Sequence, residues 1–193
     1  MVYAWVSKTH GALNLVEVRL LSSALMVEEL LFTKLKNRQI IAFDLFGKKH
    51  KRWLNDFKFR PGAYGVLREG RKVLVQRHKL LSKFGFPGGG IEMDESISEG
   101  LIREYKEETG LKVKIGKLLG VGEDFFTFKG TDVHGIFIYY EIEKIGGKIL
   151  PNGNGQDTGE VKFIEIDKLT KETSSRSQWE FIKILKRNYK NGK

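Results

Sequence analysis

Residues Pro87 to Leu111 read PGGGIEMDESISEGLIREYKEETGL, a proline and three glycines followed by an acidic run with helical spacing. The pattern predicts a helix from about Ser96 to Thr109. Glu104, Glu107 and Glu108 stand at i, i+3 and i+4, so at about 3.6 residues per turn their carboxylates project from neighbouring points of one surface. Ile97, Leu101 and Tyr105 mark the face expected to pack inward. Three like charges this close repel and cost a helix stability, so a cation is expected among them. Magnesium is commonly held by one or two carboxylates together with substrate phosphates. The arrangement therefore suits magnesium-assisted attack of water on a phosphate chain. Gly88, Gly89 and Gly90 allow close backbone approach or positive φ and would set main-chain groups against a ligand at the helix start. Pro87 fixes the entry to that turn.

Gly89, Glu95, Arg103, Glu104, Tyr105, Glu107, Glu108, Gly110 and Leu111 fit G-x5-E-x7-R-E-U-x-E-E-x-G-U, with U a bulky apolar residue. With seven fixed letters, a chance match has a probability on the order of 10⁻⁹ to 10⁻⁷ per window, so the chain resembles the Nudix hydrolases. Tyr105, where the family usually has an aliphatic residue, and Asp94, where it often has glycine, depart from the pattern without removing a charged group from it. Gly100 inside the helix costs about 1 kcal/mol relative to alanine unless close packing needs the missing side chain. The resemblance implies hydrolysis of a pyrophosphate bond in a nucleoside diphosphate linked to another group, with Mg2+ or Mn2+ as cofactor. It implies Glu104, Glu107 and Glu108 as metal ligands, one of them also a candidate base, with the Gly88 carbonyl completing the shell. Arg103 would orient Glu107, and Glu95 would tie the loop to the helix. A further acidic residue is expected downstream, with Glu160 ahead of Asp157.

Composition is that of a soluble globular domain: 193 residues, 40% hydrophobic and 30% charged, with neither low-complexity run nor repeat. The chain has no cysteine, which excludes a thiol nucleophile and a disulfide framework and fits the cytoplasm. Lys8, Glu17 and Arg19 interrupt the N-terminal apolar stretches, so neither a signal peptide nor a membrane span is expected. The net charge of +10 concentrates in Lys48 to Arg60 and Lys183 to Lys193. It reads as a solvated surface, or as attraction for a polyanion such as a nucleotide or an RNA end.

In chain order, Ser22 to Arg38 is expected to be a helix with Leu30, Leu31 and Leu35 on its apolar stripe, and Met26 inside it is a candidate alternative start. Ile40 to Phe46 and Trp53 to Phe59 resemble a hairpin around GKKHK. Residues 1–59 are thus expected to form an appendage ahead of a catalytic domain at 60–193, and by resemblance to serve a homodimer. Ala63 to Arg68 and Lys72 to Arg77 flank a turn at Glu69-Gly70-Arg71. Val73, Leu74 and Val75 make the second strand apolar on both faces, as in a covered sheet. Arg77, at its end, is a candidate for a substrate phosphate, being well shaped for one, or is a surface arginine. Phe86 should support the glycine turn from the core.

Beyond the helix, Leu111 to Val121 reads as a strand and Glu123 to Lys129 as a loop. There Phe125, Phe126 and Phe128 are candidates to stack on a nucleobase or to cover a core edge, with Phe126 taken as substrate-binding alongside Gly89 and Gly90. His134 to Ile142 is an apolar strand with His134 structural, Ile145 to Asp157 a loop, Val161 to Ile166 a strand, and Ser177 to Tyr189 an amphipathic helix. This order indicates an α/β/α sandwich around a mixed sheet, with an N-terminal helix and β-hairpin appendage. The substrate stays open among nucleoside triphosphates, nucleotide sugars such as ADP-ribose, and dinucleotides. No proline lies downstream of the motif where ADP-ribose-directed members often carry one. An RNA 5′ pyrophosphohydrolase and a non-catalytic nucleotide-binding module are the alternatives.

Overall fold

In the computed structural model the described residues are 38–44 and 46–190. The helix expected from Ser22, its leucine stripe and Met26 lie outside them. Strand β1 (Gln39–Phe43) neighbours β2 (Lys49–Trp53) in the sheet, and a 3-10 turn follows at Leu54–Asp56. The second expected strand, Trp53 to Phe59, is therefore displaced. Asp44 Oδ1 accepts from the backbone N–H groups of Phe46 at 3.0 Å and Lys48 at 2.9 Å. This side-chain-closed turn brings β2 in four residues earlier, and Lys58 and Phe59 open the next strand instead.

That strand, β3 (Lys58–Glu69), is the axis of the sheet. It runs parallel to β8 (Thr131–Gly147) from Lys58↔Val133 to Leu67↔Ile142 and antiparallel to β4 (Lys72–His78) across the tight turn at Gly70 and Arg71. Pro61 has no N–H to give to a ladder, yet its carbonyl accepts from Ile91 N at 3.1 Å, so the chain passes through Arg60-Pro61-Gly62 as strand. Short β5 (Phe84–Gly85) pairs with β4, and β6 (Gly88–Gly90) with β3. Strand β7 (Leu111–Phe128) pairs antiparallel with β8, and Phe126 pairs in parallel with Phe43 of β1. Strand β9 (Thr158–Glu165) runs antiparallel to β4. Parallel and antiparallel pairs in one sheet make it mixed.

Of two stretches expected as loops, the first is strand almost throughout and the second begins only at Lys148. Residues 123–128 continue β7 to Phe128, and β8 continues to Gly147. The hairpin between them turns on Lys129 and Gly130, with φ 48° and 78°. Two consecutive positive φ values match the twist of a two-residue hairpin, but lysine seldom signals one.

Helices α1 (Ile97–Thr109) and α2 (Arg176–Lys190) serve two separate cores. Side chains alternate across a strand, so Val66, Val73 and Val75 join Phe181, Ile182 and Leu185 of α2, whereas Ala63, Leu67 and Leu74 join Leu101 and Tyr105 of α1. The doubly apolar β4 is thereby accounted for, and the sheet is sandwiched between helices. Leu101 and Tyr105 are fully buried, each worth about 1.5 to 3 kcal/mol of transfer free energy for a large apolar side chain. Ile97, expected on the same face, is 38% exposed. The inward position in that first turn belongs to Gly100, where a Cβ would meet Glu95 Oε1 at 2.7 Å and Ile91 Cδ1 at 2.8 Å. Its missing side chain serves the preceding loop rather than the sheet.

Candidate active site

The site begins where the glycine run is strapped to the axis strand. Gly65 N donates to the Pro87 carbonyl at 2.9 Å, and Gly88 to Gly90 pair with Tyr64 to Gly62. Behind the turn Phe86 is buried against Tyr139 and Phe181, and its N–H donates to Gln178 Oε1 at 2.7 Å. Gly88 has φ 131°, and a Cβ there would stand 2.1 Å from the Ala63 carbonyl, so only glycine fits.

Helix α1 lies along this glycine strand with its C-terminal half, Glu108 at Gly88 and Glu104 at Gly89, rather than meeting it with its N-terminus. Ser96 Oγ accepts from Glu99 N at 3.2 Å, while Ser96 N donates to Glu99 Oε2 at 2.9 Å, a reciprocal capping box. Glu99, outside the motif, thus has a structural part. At the other end Gly110, with φ 76°, caps the helix and donates to the Lys106 carbonyl at 2.8 Å.

The three motif carboxylates occupy different environments. Glu108 is 7% exposed and accepts from Gly88 N at 2.7 Å, Gln76 Nε2 at 2.6 Å and Thr158 Oγ1 at 3.3 Å. Burial raises its carboxyl to about 8 against the pull of these donors. Glu104 is half-buried and lies against Gly89, where a Cβ would come within 2.7 Å of its carboxylate carbon. Burial raises it too, with Arg103 opposing and Glu107 and Asp157 adding to the rise. Glu107 keeps 56% of its side chain in solvent.

Arg103 is the hub that sequence reasoning tied to Glu107. Its strongest grip is instead a fork on Glu95, from Nε at 3.0 Å and Nη2 at 2.7 Å. Nη1 reaches Glu104 at 3.0 Å, and Glu107 stands farther off at 3.6 Å. The guanidinium holds Glu95 down to about 2, well below the usual carboxylate range, helped by the Glu92 backbone contact. Nη2 also donates to the Gly90 carbonyl at 3.3 Å, so one residue joins loop, glycine strand and helix.

A cavity of about 280 Å³ opens beside the glycine strand. Glu104, Glu108 and Asp157 line it together with Phe126, Phe128 and Phe137. Phe126 and Phe128, two apart on β7, face it together. Phe125 points the other way and stacks on His134 at 4.2 Å, leaving His134 in a structural setting. Arg60, Gly62 and Tyr64, alternate residues of β3, also line the cavity, with Gln76 and Gln178.

The β4–β9 register places Arg77 and Glu160 opposite each other. They form an ion pair at 2.8 Å, with Lys162 on the second Glu160 oxygen at 2.8 Å and the Arg77 guanidinium over Phe84. Neither lines the cavity. Asp157 does; burial works to raise its carboxyl, but the Asn154 amide and nearby donors outweigh burial and hold it below its usual range. Gln76, Thr158 and Arg60 escaped sequence reasoning, because only the pairing of β3, β4 and β9 assembles them.

Among the described residues no three His, Asp or Glu side chains form a compact metal cluster. The donor set nevertheless fits a hard cation of the kind Nudix hydrolases generally use. Glu104 and Glu108 present carboxylate oxygens beside a strand bare of side chains, the number and kind of protein group that magnesium takes with substrate phosphates. No helix among the described residues is long and apolar enough to cross a membrane.

Comparison with known proteins agrees with this geometry. The NUDIX domain family model matches residues 58–184. An ADP-ribose pyrophosphatase of Methanocaldococcus jannaschii is 32% identical over 148 residues, covering 69% of this chain and 83% of that protein. A MutT-like protein of Streptomyces ambofaciens is 39% identical over 82 residues, 42% of this chain and 49% of that protein, so the chain spans about half its length. Among solved structures, the MutT protein of Bacillus halodurans superposes with a TM-score of 0.54 at 23% identity, over 64% of this chain and 80% of that one. An ADP-ribose pyrophosphatase of Streptococcus suis gives 0.50 at 19%, over 69% and 92%. The structural likenesses carry the fold, and the family model and the archaeal relative carry the family: the chain is a member of the Nudix hydrolase family.

Proposed function

We propose that this enzyme hydrolyses the pyrophosphate bond of a nucleoside diphosphate linked to a second group, with ADP-ribose its leading substrate. The observation that carries the reading is the cavity itself, with Glu104 and Glu108 against the glycine strand and Phe126 and Phe128 lining it as well. A nucleotide needs both, a place for its phosphates and an apolar wall for its base. Similarity to a relative named ADP-ribose pyrophosphatase is the reason for placing ADP-ribose ahead of the other linked nucleotides here.

Glu104, Glu107 and Glu108, with the Gly88 main chain, would hold Mg2+, which when bound neutralises phosphate oxygens and makes water a better nucleophile. The protein's own residues then divide the remaining work. Gln76, Thr158 and Gly88 N–H fix Glu108, and Arg103 fixes Glu104 and the Glu95 loop. Gly89 leaves room beside the Glu104 carboxylate. Asp157 takes the downstream role expected of Glu160, accepting the proton of the water that attacks phosphorus; its depressed carboxyl is ionised at neutral pH. The anhydride P–O bond breaks, and each half leaves as a phosphate monoester, AMP and ribose 5-phosphate in the case of ADP-ribose. Segment 1–59 is read as the appendage that pairs two copies, and the cytoplasm as the site of action.

The test is a product assay on ADP-ribose, nucleotide sugars, dinucleotides, nucleoside triphosphates and 5′-triphosphorylated RNA in Mg2+. The reading predicts AMP and ribose 5-phosphate from ADP-ribose at the highest kcat/KM. Turnover of the RNA alone would replace it with the RNA-end activity, and tight nucleotide binding without turnover would replace it with a binding module.

A further inference from the structure

The reading of the site leaves one electrostatic problem. Glu104, Glu108 and Asp157 line the cavity with carboxyl groups, and a diphosphate entering it is repelled before anything else happens. A cation of the chain facing the substrate would offset that repulsion alongside the metal. Arg77 is taken by Glu160. Lys83 lines the cavity but donates to the Glu172 carbonyl, and the His78 ring nitrogen Nδ1 accepts from Leu80 N at 3.2 Å.

Arg60 differs from these. It lines the cavity from β3, two residues before Gly62 and four before Tyr64, and its side chain has no ion pair or hydrogen bond to another described residue. Its guanidinium lies on Gly90, where a Cβ would come within 2.5 Å of both Nε and Nη2. Glu104 lies in the same way on Gly89. Neighbouring residues of a strand face opposite ways, so the glycine strand stands between acid and guanidinium and keeps them from neutralising each other. A free guanidinium beside a side-chain-free strand is a fork for two phosphate oxygens. Resting on the function proposed above, we propose that Arg60 is a substrate-binding residue that takes the diphosphate group of the nucleotide, and that Gly90 is bare to make room for it.

The experiment compares wild type, R60K and R60Q in Mg2+ by calorimetric titration with α,β-methylene-ADP, whose diphosphate cannot be hydrolysed at the bridge, and with adenosine. Arg60 is exposed on its strand, and matched thermal melts confirm that the variants fold. R60Q is expected to weaken the methylene analogue by about 10- to 100-fold, the range for losing charge-assisted hydrogen bonds to an anion. R60K should fall between, since a point charge cannot fork, and adenosine should bind all three alike. On a cleaved substrate the same loss should appear in KM more than in kcat. Equal affinity of wild type and R60Q for the analogue overturns the role of Arg60 and leaves the hydrolase reading standing. Failure of wild type to bind either ligand overturns the nucleotide reading, and this proposal with it.

Discussion

Replacing Glu108 by glutamine removes a charge that folding of the metal-free protein disfavours. Burial raises this carboxyl from its ordinary 4.5 to about 8. Below pH 4.5 it is protonated folded and unfolded alike. Between 4.5 and about 8 the unfolded chain has released the proton while the folded chain holds it, so stability falls as pH rises and levels off above about 8. The window corresponds to at most about 5 kcal/mol at about 1.36 kcal/mol per pH unit, and relaxation around a buried charge brings the expected loss nearer 2 to 3 kcal/mol. Glutamine does not titrate, but it has an acceptor oxygen at only one end, so it cannot accept at both ends as Glu108 does from Gly88 N and Gln76 Nε2, which costs about 1 to 3 kcal/mol at every pH. Urea denaturation without metal should therefore show E108Q below wild type at pH 5 and level with it or above at pH 8.5, with Mg2+ selectively restoring wild type at high pH. Parallel pH profiles for the two proteins would refute the reasoning.

E107Q should lower kcat by orders of magnitude with a melting temperature within 2 °C or so of wild type, because an exposed surface carboxylate adds little to stability. D157N should lower kcat by about 100-fold or more while E160Q leaves it within about threefold, which assigns the proton acceptor by steady-state kinetics. S96A should cost about 1 kcal/mol in denaturant unfolding, through the lost cap, while E99Q costs only a few tenths since glutamine also closes the box. G110A should cost about 2 kcal/mol or more by the same assay, since its φ is 76° and its Cβ would stand 2.5 Å from the Lys148 carbonyl.

What could be read from the sequence was local. Three glutamates at i, i+3 and i+4 lie along one helix whatever the rest of the chain does, and the glycines and Ser96 punctuate that helix by their own backbone chemistry. The Glu69-Gly70-Arg71 hairpin was legible for the same reason, and apolar residues on both faces of β4 announced a sheet covered on both sides. Long-range pairing was not legible. Arg77 looked free for a phosphate until β9 set Glu160 opposite it, and nothing near Gln76 in the chain hints that Glu108 and Thr158 meet its two ends. The aromatic run ending at Phe128 read as a loop because its strand turns on Lys129, a residue that rarely takes positive φ. Arg103 was expected, by resemblance, to orient Glu107, whereas its fork on Glu95 crosses from helix to loop.

The most direct test of the central claim is release of AMP from ADP-ribose by wild type and E107Q, each with Mg2+ and with chelator. The account predicts turnover by wild type in Mg2+ alone, and loss of nearly all of it in E107Q under the same conditions. Turnover that persists in chelator, or that E107Q retains in full, would contradict it.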